Sequence, residues 1–207
     1  MRTLARRIGT YLFAAALVVS AVACSEEGVD SDEEARRAYL GLDLSVEKSL
    51  ELGFDGFNSA SSANIDPQTA DGDLSGTLTI TGQVDQGSSD NKGMRLYVGM
   101  VEYSDGKVVV DEQQTEIDIT YDTAVDPAQQ PFLSLSLRNI PNGTLEGTLT
   151  GTYHLSGDID GDVTLDLTIS GTIQDDGTGK VVRTPGSTHI TGTATSGNGT
   201  YAVDVTI

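Results

Sequence analysis

Apolar and polar residues alternate with a period of two along most of the chain from residue 74 onward. Successive side chains of a β-strand point to opposite faces, so this alternation predicts strands with one buried face and one face of Thr, Ser and Asp. The apolar sets are Leu74, Leu78, Ile80 and Val84; Met94, Leu96, Val98 and Met100; Val108 and Val110; Ile117, Ile119 and Tyr121; Leu133, Leu135 and Leu137; Leu145, Leu149, Tyr153 and Leu155; Val163, Leu165, Leu167, Ile169 and Ile173; Ile190 and Ala194; and Tyr201, Val203, Val205 and Ile207.

Turn-forming pairs separate these sets at short intervals, among them Asp105-Gly106, Asn142-Gly143 and Asp160-Gly161. Such pairs accept the positive φ of tight hairpin turns, so neighbouring strands are expected to pair antiparallel. We therefore expect an all-β fold with one N-terminal helical segment, in which about eight strands form an antiparallel meander. A closed or nearly closed barrel of lipocalin-like size is the first expectation, and a β-sandwich is the second.

Several glycines, including Gly82, Gly151 and Gly192, share the parity of the apolar residues. Glycine within a strand is destabilising unless the strand bends sharply or another group must come close. Three explanations remain open at this point: strand bending, contact with the N-terminal helix, or a cavity for a ligand.

A helix is expected over residues 34–57, before the strands. Ser31 and Glu34 have the spacing of a capping box, and Ala35, Ala38 and Leu42 begin an apolar stripe with helical spacing. Such a stripe would pack against the sheet. The helix and the barrel over residues 74–207 are therefore expected to form a single domain, residues 34–207.

The N-terminus has three zones: the basic residues Arg2, Arg6 and Arg7, an apolar run over residues 12–19, and small residues before Cys24. The run is too short to span a bilayer, so residues 1–23 are predicted to be a cleaved signal peptide. The segment 21–24, Ala-Val-Ala-Cys, resembles the lipobox of bacterial lipoproteins. That resemblance implies lipid on Cys24 and attachment to a membrane, and Ser25 after it resembles the signal for outer-membrane delivery.

Residues 24–33 are acidic and almost free of apolar side chains, which predicts a solvated tether between lipid and domain. The whole chain has 12 basic and 31 acidic residues, a net charge of −19. Removing three arginines with the signal peptide leaves nine basic residues and a net charge of −22. A charge of this sign repels phosphate backbones, so we do not expect the protein to bind nucleic acid. The membrane is the expected partner, through the lipid, and any further protein or small-molecule partner stays open.

Candidate chemistry is sparse. His154 and His189 have the parity of the Thr face, on different strands, and no sequence motif of a nucleophile, zinc site or phosphate loop is present. No catalytic residue is therefore predicted. With 31 acidic residues in the chain, hydrolysis by two carboxylates remains an alternative.

One segment could bind a cation. Asp158, Asp160 and Asp162 alternate around the turn residue Gly161, and calcium requires several converging oxygens. The same residues also suit an ordinary Asp-Gly hairpin with its acids on the exposed face, and this second interpretation is favoured. Calcium is accordingly the single cofactor considered.

These observations favour a lipid-anchored, non-enzymatic envelope protein that acts as a structural or binding module. The alternatives are a lipocalin-like carrier of a small apolar ligand and the carboxylate-dependent hydrolase. A membrane-spanning barrel is disfavoured because the chain has no Trp and few Tyr and Phe to form aromatic girdles.

Overall fold

The computed structural model describes residues 29–38, 48, 52, 62–109 and 115–206. These residues form an antiparallel sheet with a helical segment on its N-terminal side. The strands are β1 (Gln68–Asp71), β2 (Ser75–Val84), β3 (Lys92–Ser104), β4 (Lys107–Val109), β5 (Glu116–Asp122), β6 (Phe132–Arg138), β7 (Gly143–Gly157), β8 (Gly161–Asp175), β9 (Val181–Arg183), β10 (His189–Ser196) and β11 (Gly199–Thr206).

Eleven strands occupy eight positions across this sheet, because three positions each hold two strands end to end. Strands β3 and β4 follow one another along β5. Strands β5 and β6 do the same along β7, and β9 and β10 do so along β8. Each position pairs with the next one along the chain. The predicted antiparallel meander of about eight strands is confirmed, and both a nearly closed barrel and a sandwich fit the strand pairing.

The predicted inner face forms one continuous core. One row of cross-strand neighbours illustrates it, since four leucines stand side by side in the middle of the sheet. The row runs Gly82, Leu96, Leu133, Leu149, Leu167, Gly192 and Val203. Each of these leucines is fully buried. Tyr103, Tyr121 and Tyr153 fill the same core, so aromatic as well as aliphatic side chains occupy the interior.

The glycines of that row mark close approaches between strands. Gly82 and Gly192 have positive φ angles of 131° and 151°. A Cβ atom on Gly82 would lie 2.1 Å from the carbonyl oxygen of Arg95, and one on Gly192 would lie 2.0 Å from that of Asp166. These nearest atoms belong to the neighbouring strands. The structure therefore supports strand bending, the first of the three explanations, at both positions.

Three local predictions are wrong. Asp105-Gly106 does not form a hairpin turn, because the chain continues from β3 into β4 through a bulge there and Gly106 supplies its positive φ of 89°. Leu74 lies in the connection between β1 and β2 and is 63% exposed, so it does not belong to the core. The sheet also begins at Gln68 instead of residue 74, since the polar strand β1 pairs with β2 through its backbone.

The described part of the N-terminal segment is helical over residues 32–38 and at residues 48 and 52; the rest of the predicted helix 34–57 lies outside the described residues. Ser31 is its cap, as predicted, because its Oγ accepts a hydrogen bond from Glu34 N. The tether prediction fails at its C-terminal end, since Val29 is buried and Asp32 Oδ1 accepts a hydrogen bond from Ala202 N in β11. No helix within the described ranges combines the length and apolarity needed to cross a membrane.

Candidate functional site

The three aspartates considered for calcium lie at the hairpin between β7 and β8, and each has a different partner. Asp158 Oδ2 accepts a hydrogen bond from Asp118 N, Asp160 Oδ1 accepts one from Gly157 N, and Asp162 Oδ1 lies 2.9 Å from His154 Nδ1. Among the described residues, no three His, Cys, Asp or Glu side chains are grouped to hold a metal ion. Calcium binding at this hairpin stays a prediction, and the contacts seen are those of an acid-rich turn.

The two histidines lie on the outer face, at the parity that the sequence predicts. His154 is paired with Asp162, and His189 Nε2 lies 2.8 Å from Asp204 Oδ1 on the neighbouring strand β11. Both rings are largely exposed and lie on separate strands. The structure does not bring the two histidines together. Cys24, the predicted lipidation site, lies outside the described residues.

A groove of about 550 Å³ opens on the outer face where β2, β3 and β6 meet. The outer face elsewhere carries mainly Thr, Ser and acidic side chains, but here β3 contributes Tyr97 and β6 contributes Phe132. These two residues are direct cross-strand partners, and their ring centroids lie 5.2 Å apart at an interplanar angle of 49°. Both rings are half-buried, so the groove offers two tilted aromatic surfaces to solvent.

The polar wall of the groove consists of planar side chains from β2, β3 and the segment before β1. Gln83 Nε2 donates a hydrogen bond of 2.8 Å to Asn64 Oδ1, and Arg95 donates one of 3.0 Å to Asp85 Oδ1. Gly93 N also donates to Asp85. The Gly93 hydrogen bond, followed by the Arg95 guanidinium, holds the pKa of Asp85 below its usual range. The Arg95 charge is therefore balanced beside the groove.

The chain between β5 and β6 forms another wall. A short 3₁₀-helix, Pro127–Gln129, projects over the outer face, and its N-cap Asp126 accepts a hydrogen bond from Ala128 N. Pro127 lines the groove together with Thr81 and Gln83. Gln130 holds this connection in place, because its side-chain amide donates a hydrogen bond to Ala124 O and lies against Gly99 of β3. The groove is thus built from elements far apart along the chain.

A second polar cluster lies between the helical segment and the sheet. Lys48 Nζ lies 2.5 Å from Asp105 Oδ1, 2.9 Å from Asp73 Oδ1 and 5.7 Å from the centre of the Tyr103 ring. Tyr103 donates a hydrogen bond of 2.6 Å to the other oxygen of Asp105. The bulge after β3 points Asp105 into this cluster. Its contacts join the helical segment to the sheet, which is the arrangement of a structural latch.

Burial and pairing oppose one another in this latch. Burial raises the pKa of Asp105, but the hydrogen bonds from Lys48, Tyr103 and Asp73 N and the charge of Lys48 together lower it by more, so the net shift is downward. Burial likewise lowers the pKa of Lys48, while its interactions with Asp105, Asp73 and Tyr103 together raise it by more. Burial and the Asp105 carboxylate both raise the pKa of Tyr103. The cluster therefore holds a charged pair and a neutral phenol at neutral pH.

Sequence reasoning missed the groove, although a signal was present. Tyr97 has the solvent-facing parity of β3, between Leu96 and Val98, and Phe132 has the same parity in β6. Large aromatic side chains on an otherwise Thr-rich face are the informative deviation. Their proximity could not be predicted, because it depends on the register between β3 and β6.

Comparison with known proteins adds no family to this picture: no protein-family model, no curated protein and no solved structure matches the chain.

Proposed function

We propose that this protein is a non-enzymatic binding module held on a bacterial outer membrane by lipid on Cys24. The observation that carries the binding part is the groove around Tyr97 and Phe132. The residues described as lining it offer aromatic surface and hydrogen bonds, and none of them is a carboxylate, imidazole or thiol. Such a lining suits recognition of a ligand better than acid–base or nucleophilic chemistry.

The packing of the inner face supports a module over a lipocalin-like carrier. A carrier of an apolar ligand would need open volume inside the curved sheet. The side chains that would line such a volume instead contact one another in a single cluster, including the large rings of Tyr103, Tyr121 and Tyr153. The glycines at the inward parity meet neighbouring strands rather than open space at Gly82 and Gly192.

The position of Val29 indicates which part of the sheet lipid on Cys24 would hold near the membrane. Val29 is buried, and its carbonyl oxygen accepts a hydrogen bond from Ser196 Oγ next to the β10–β11 turn. Five residues of chain reach no farther than roughly 18 Å, so lipid on Cys24 would keep this end of the sheet near the bilayer. Along the strand order, the groove on β2, β3 and β6 is separated from β11 by β7, β8 and β10.

Labelling tests the anchor. Cells that express the protein should incorporate radiolabelled palmitate into it and retain it in the membrane fraction, because acylation buries methylene groups in the bilayer. The Cys24→Ser variant should take up no label and should appear in the soluble fraction. Label in the Cys24→Ser variant would contradict the anchor.

Photo-crosslinking in the same cells tests the binding part. A benzophenone amino acid in place of Tyr97 should yield covalent adducts, and the same probe in place of Thr168 should not. Thr168 is the matched control, because it is exposed on the same face but lies on β8, outside the groove. Equal adduct yields at both positions, or none at either, would contradict a binding function of the groove.

A further inference from the structure

The groove has the features of a site for an uncharged sugar polymer. We propose that its ligand is a neutral pyranose glycan, an assignment that rests on the proposed binding function and specifies it. One face of a pyranose ring presents C–H groups, and its edges present hydroxyls. A recognition site for it therefore needs an aromatic surface beside planar hydrogen-bonding groups.

The aromatic part is supplied by Tyr97 and Phe132. Their rings are tilted by 49°, so they form two adjoining facets instead of one flat plate. A chain of linked sugars presents successive ring faces at an angle to one another, and two tilted facets can contact two neighbouring sugars. A single flat aromatic ligand would contact only one of these facets fully.

The polar part is supplied by the pair of amides beside the rings. The hydrogen bond between Gln83 Nε2 and Asn64 Oδ1 leaves the Gln83 oxygen as an acceptor and the Asn64 nitrogen as a donor. An adjacent acceptor and donor match a sugar's hydroxyl pair, because each hydroxyl both donates and accepts. Thr81, next to Tyr97 across β2 and β3, adds a hydroxyl to the same wall.

Charge selects a neutral glycan over an anionic one. The guanidinium of Arg95 is already paired with Asp85, 3.0 Å away, so no uncompensated positive charge faces the groove from this pair. The chain as a whole carries a net charge of −19, which repels polyanions at long range. A polyuronate or phosphorylated polymer would meet this field, and the cation among the residues described as lining the groove, Arg95, is already paired.

Affinity electrophoresis tests the assignment with the mature lipidated protein, kept in a detergent without a sugar headgroup. Native gels contain dextran, laminarin, hydroxyethyl cellulose or, as the anionic probe, polygalacturonate; chitohexaose is added in solution as a competitor. We expect at least one neutral polymer to retard the protein and polygalacturonate not to do so. Competition by chitohexaose would assign the ligand to N-acetylated sugars within the same class, and its absence to plain hexoses.

Four variants locate the effect. Tyr97→Ala and Gln83→Ala should weaken retardation at least about tenfold, while Tyr97→Phe should retain it because the ring remains. Thr168→Ala on β8 should behave as the unsubstituted protein. Gln83 is exposed, so its substitution keeps the test valid even if Tyr97→Ala melts at a lower temperature. Retardation by no neutral polymer would overturn the assignment, and so would retardation of Tyr97→Ala and Gln83→Ala equal to that of the unsubstituted protein.

A peptide ligand separates this inference from the proposed function. Aromatic-lined grooves also bind proline-rich segments, so a fluorescent decaproline peptide is the alternative probe. If that peptide binds in a Tyr97-dependent manner and no glycan does, the glycan assignment is wrong and the groove remains a binding site. Adduct yields that are equal at positions 97 and 168 would instead remove the binding function itself.

Discussion

Two cation–aspartate pairs lie close to tyrosines of β3, and their surroundings differ. Lys48 and Asp105 meet where the helical segment contacts the sheet, and their side chains are 26% and 8% exposed. Arg95 and Asp85 meet on the rim of the groove, and theirs are 43% and 48% exposed. The first pair joins residues 57 positions apart in the chain, and the second joins residues ten apart.

The difference in exposure assigns different roles to the two pairs beside β3, one in stabilising the fold and one in shaping the groove. A pair shielded from water leaves a costly unpaired charge when one partner is removed, whereas a pair open to water is replaced by solvent at little cost. We therefore interpret Lys48–Asp105 as a latch that stabilises the fold. Arg95–Asp85 instead shapes the groove at little energetic consequence for folding.

The largest expected effect is that of Asp105→Ala. It leaves Asp73 as the remaining carboxylate that Lys48 contacts among the described residues, and it removes the acceptor of the Tyr103 hydroxyl. Because Lys48 is about a quarter exposed, we expect the free energy of unfolding to fall by about 2–3 kcal/mol, below the full cost of a buried pair. Urea denaturation measures it, and a loss no greater than that of Asp85→Ala would remove the distinction between the two pairs.

Acid should abolish most of the difference in stability between the unsubstituted protein and a variant that lacks the Asp105 carboxylate. The pKa of Asp105 is lowered in the folded protein relative to its ordinary value of 3.8, so its charge stabilises the fold above that value. As the pH falls through the lowered pKa, the carboxylate is protonated and this stabilisation is lost. The gap in unfolding free energy between the unsubstituted protein and Asp105→Asn should be constant from pH 7 to pH 5 and should narrow below about pH 4. A gap that widens in acid would contradict the latch.

Asp85→Ala should have a smaller effect on stability. It removes an exposed ion pair and the hydrogen bond from Gly93 N, which together are expected to contribute about 1 kcal/mol or less. The matched control is Glu116→Ala, which removes the still more exposed contact with Lys107 at 3.6 Å. Thermal melts of the two variants should lie within a few degrees of each other and well above that of Asp105→Ala.

Salt should produce the smallest effect. Exposed pairs are screened at high ionic strength and shielded pairs much less. Double-mutant cycles in about 0.05 M and 0.5 M NaCl should reduce the coupling of Arg95 with Asp85 by a few tenths of a kcal/mol and leave that of Lys48 with Asp105 nearly unchanged. Equal salt dependence of the two couplings would indicate that both pairs are equally open to solvent.

Local turn chemistry correctly predicted the hairpins at Asn142-Gly143 and Asp160-Gly161, but it did not predict the structure at Asp105-Gly106. Asp105-Gly106 has the composition of a hairpin turn, yet it forms a bulge between β3 and β4. Both structures require a glycine with positive φ, so the dipeptide alone does not distinguish them. The choice depends on which strand runs beside it, and here β5 pairs on both sides of the bulge.

The sequence by itself determined the antiparallel meander and its inner face. The alternation with a period of two and the short polar turns both depend on residues that are close together in the chain. The helix cap at Ser31 was equally local. Only the tertiary structure decided the latch and the groove. Lys48 meets Asp105, and Tyr97 meets Phe132, through strand register and the packing of the helical segment. Those arrangements arise from the summed packing of the whole sheet, to which each residue contributes only a small share.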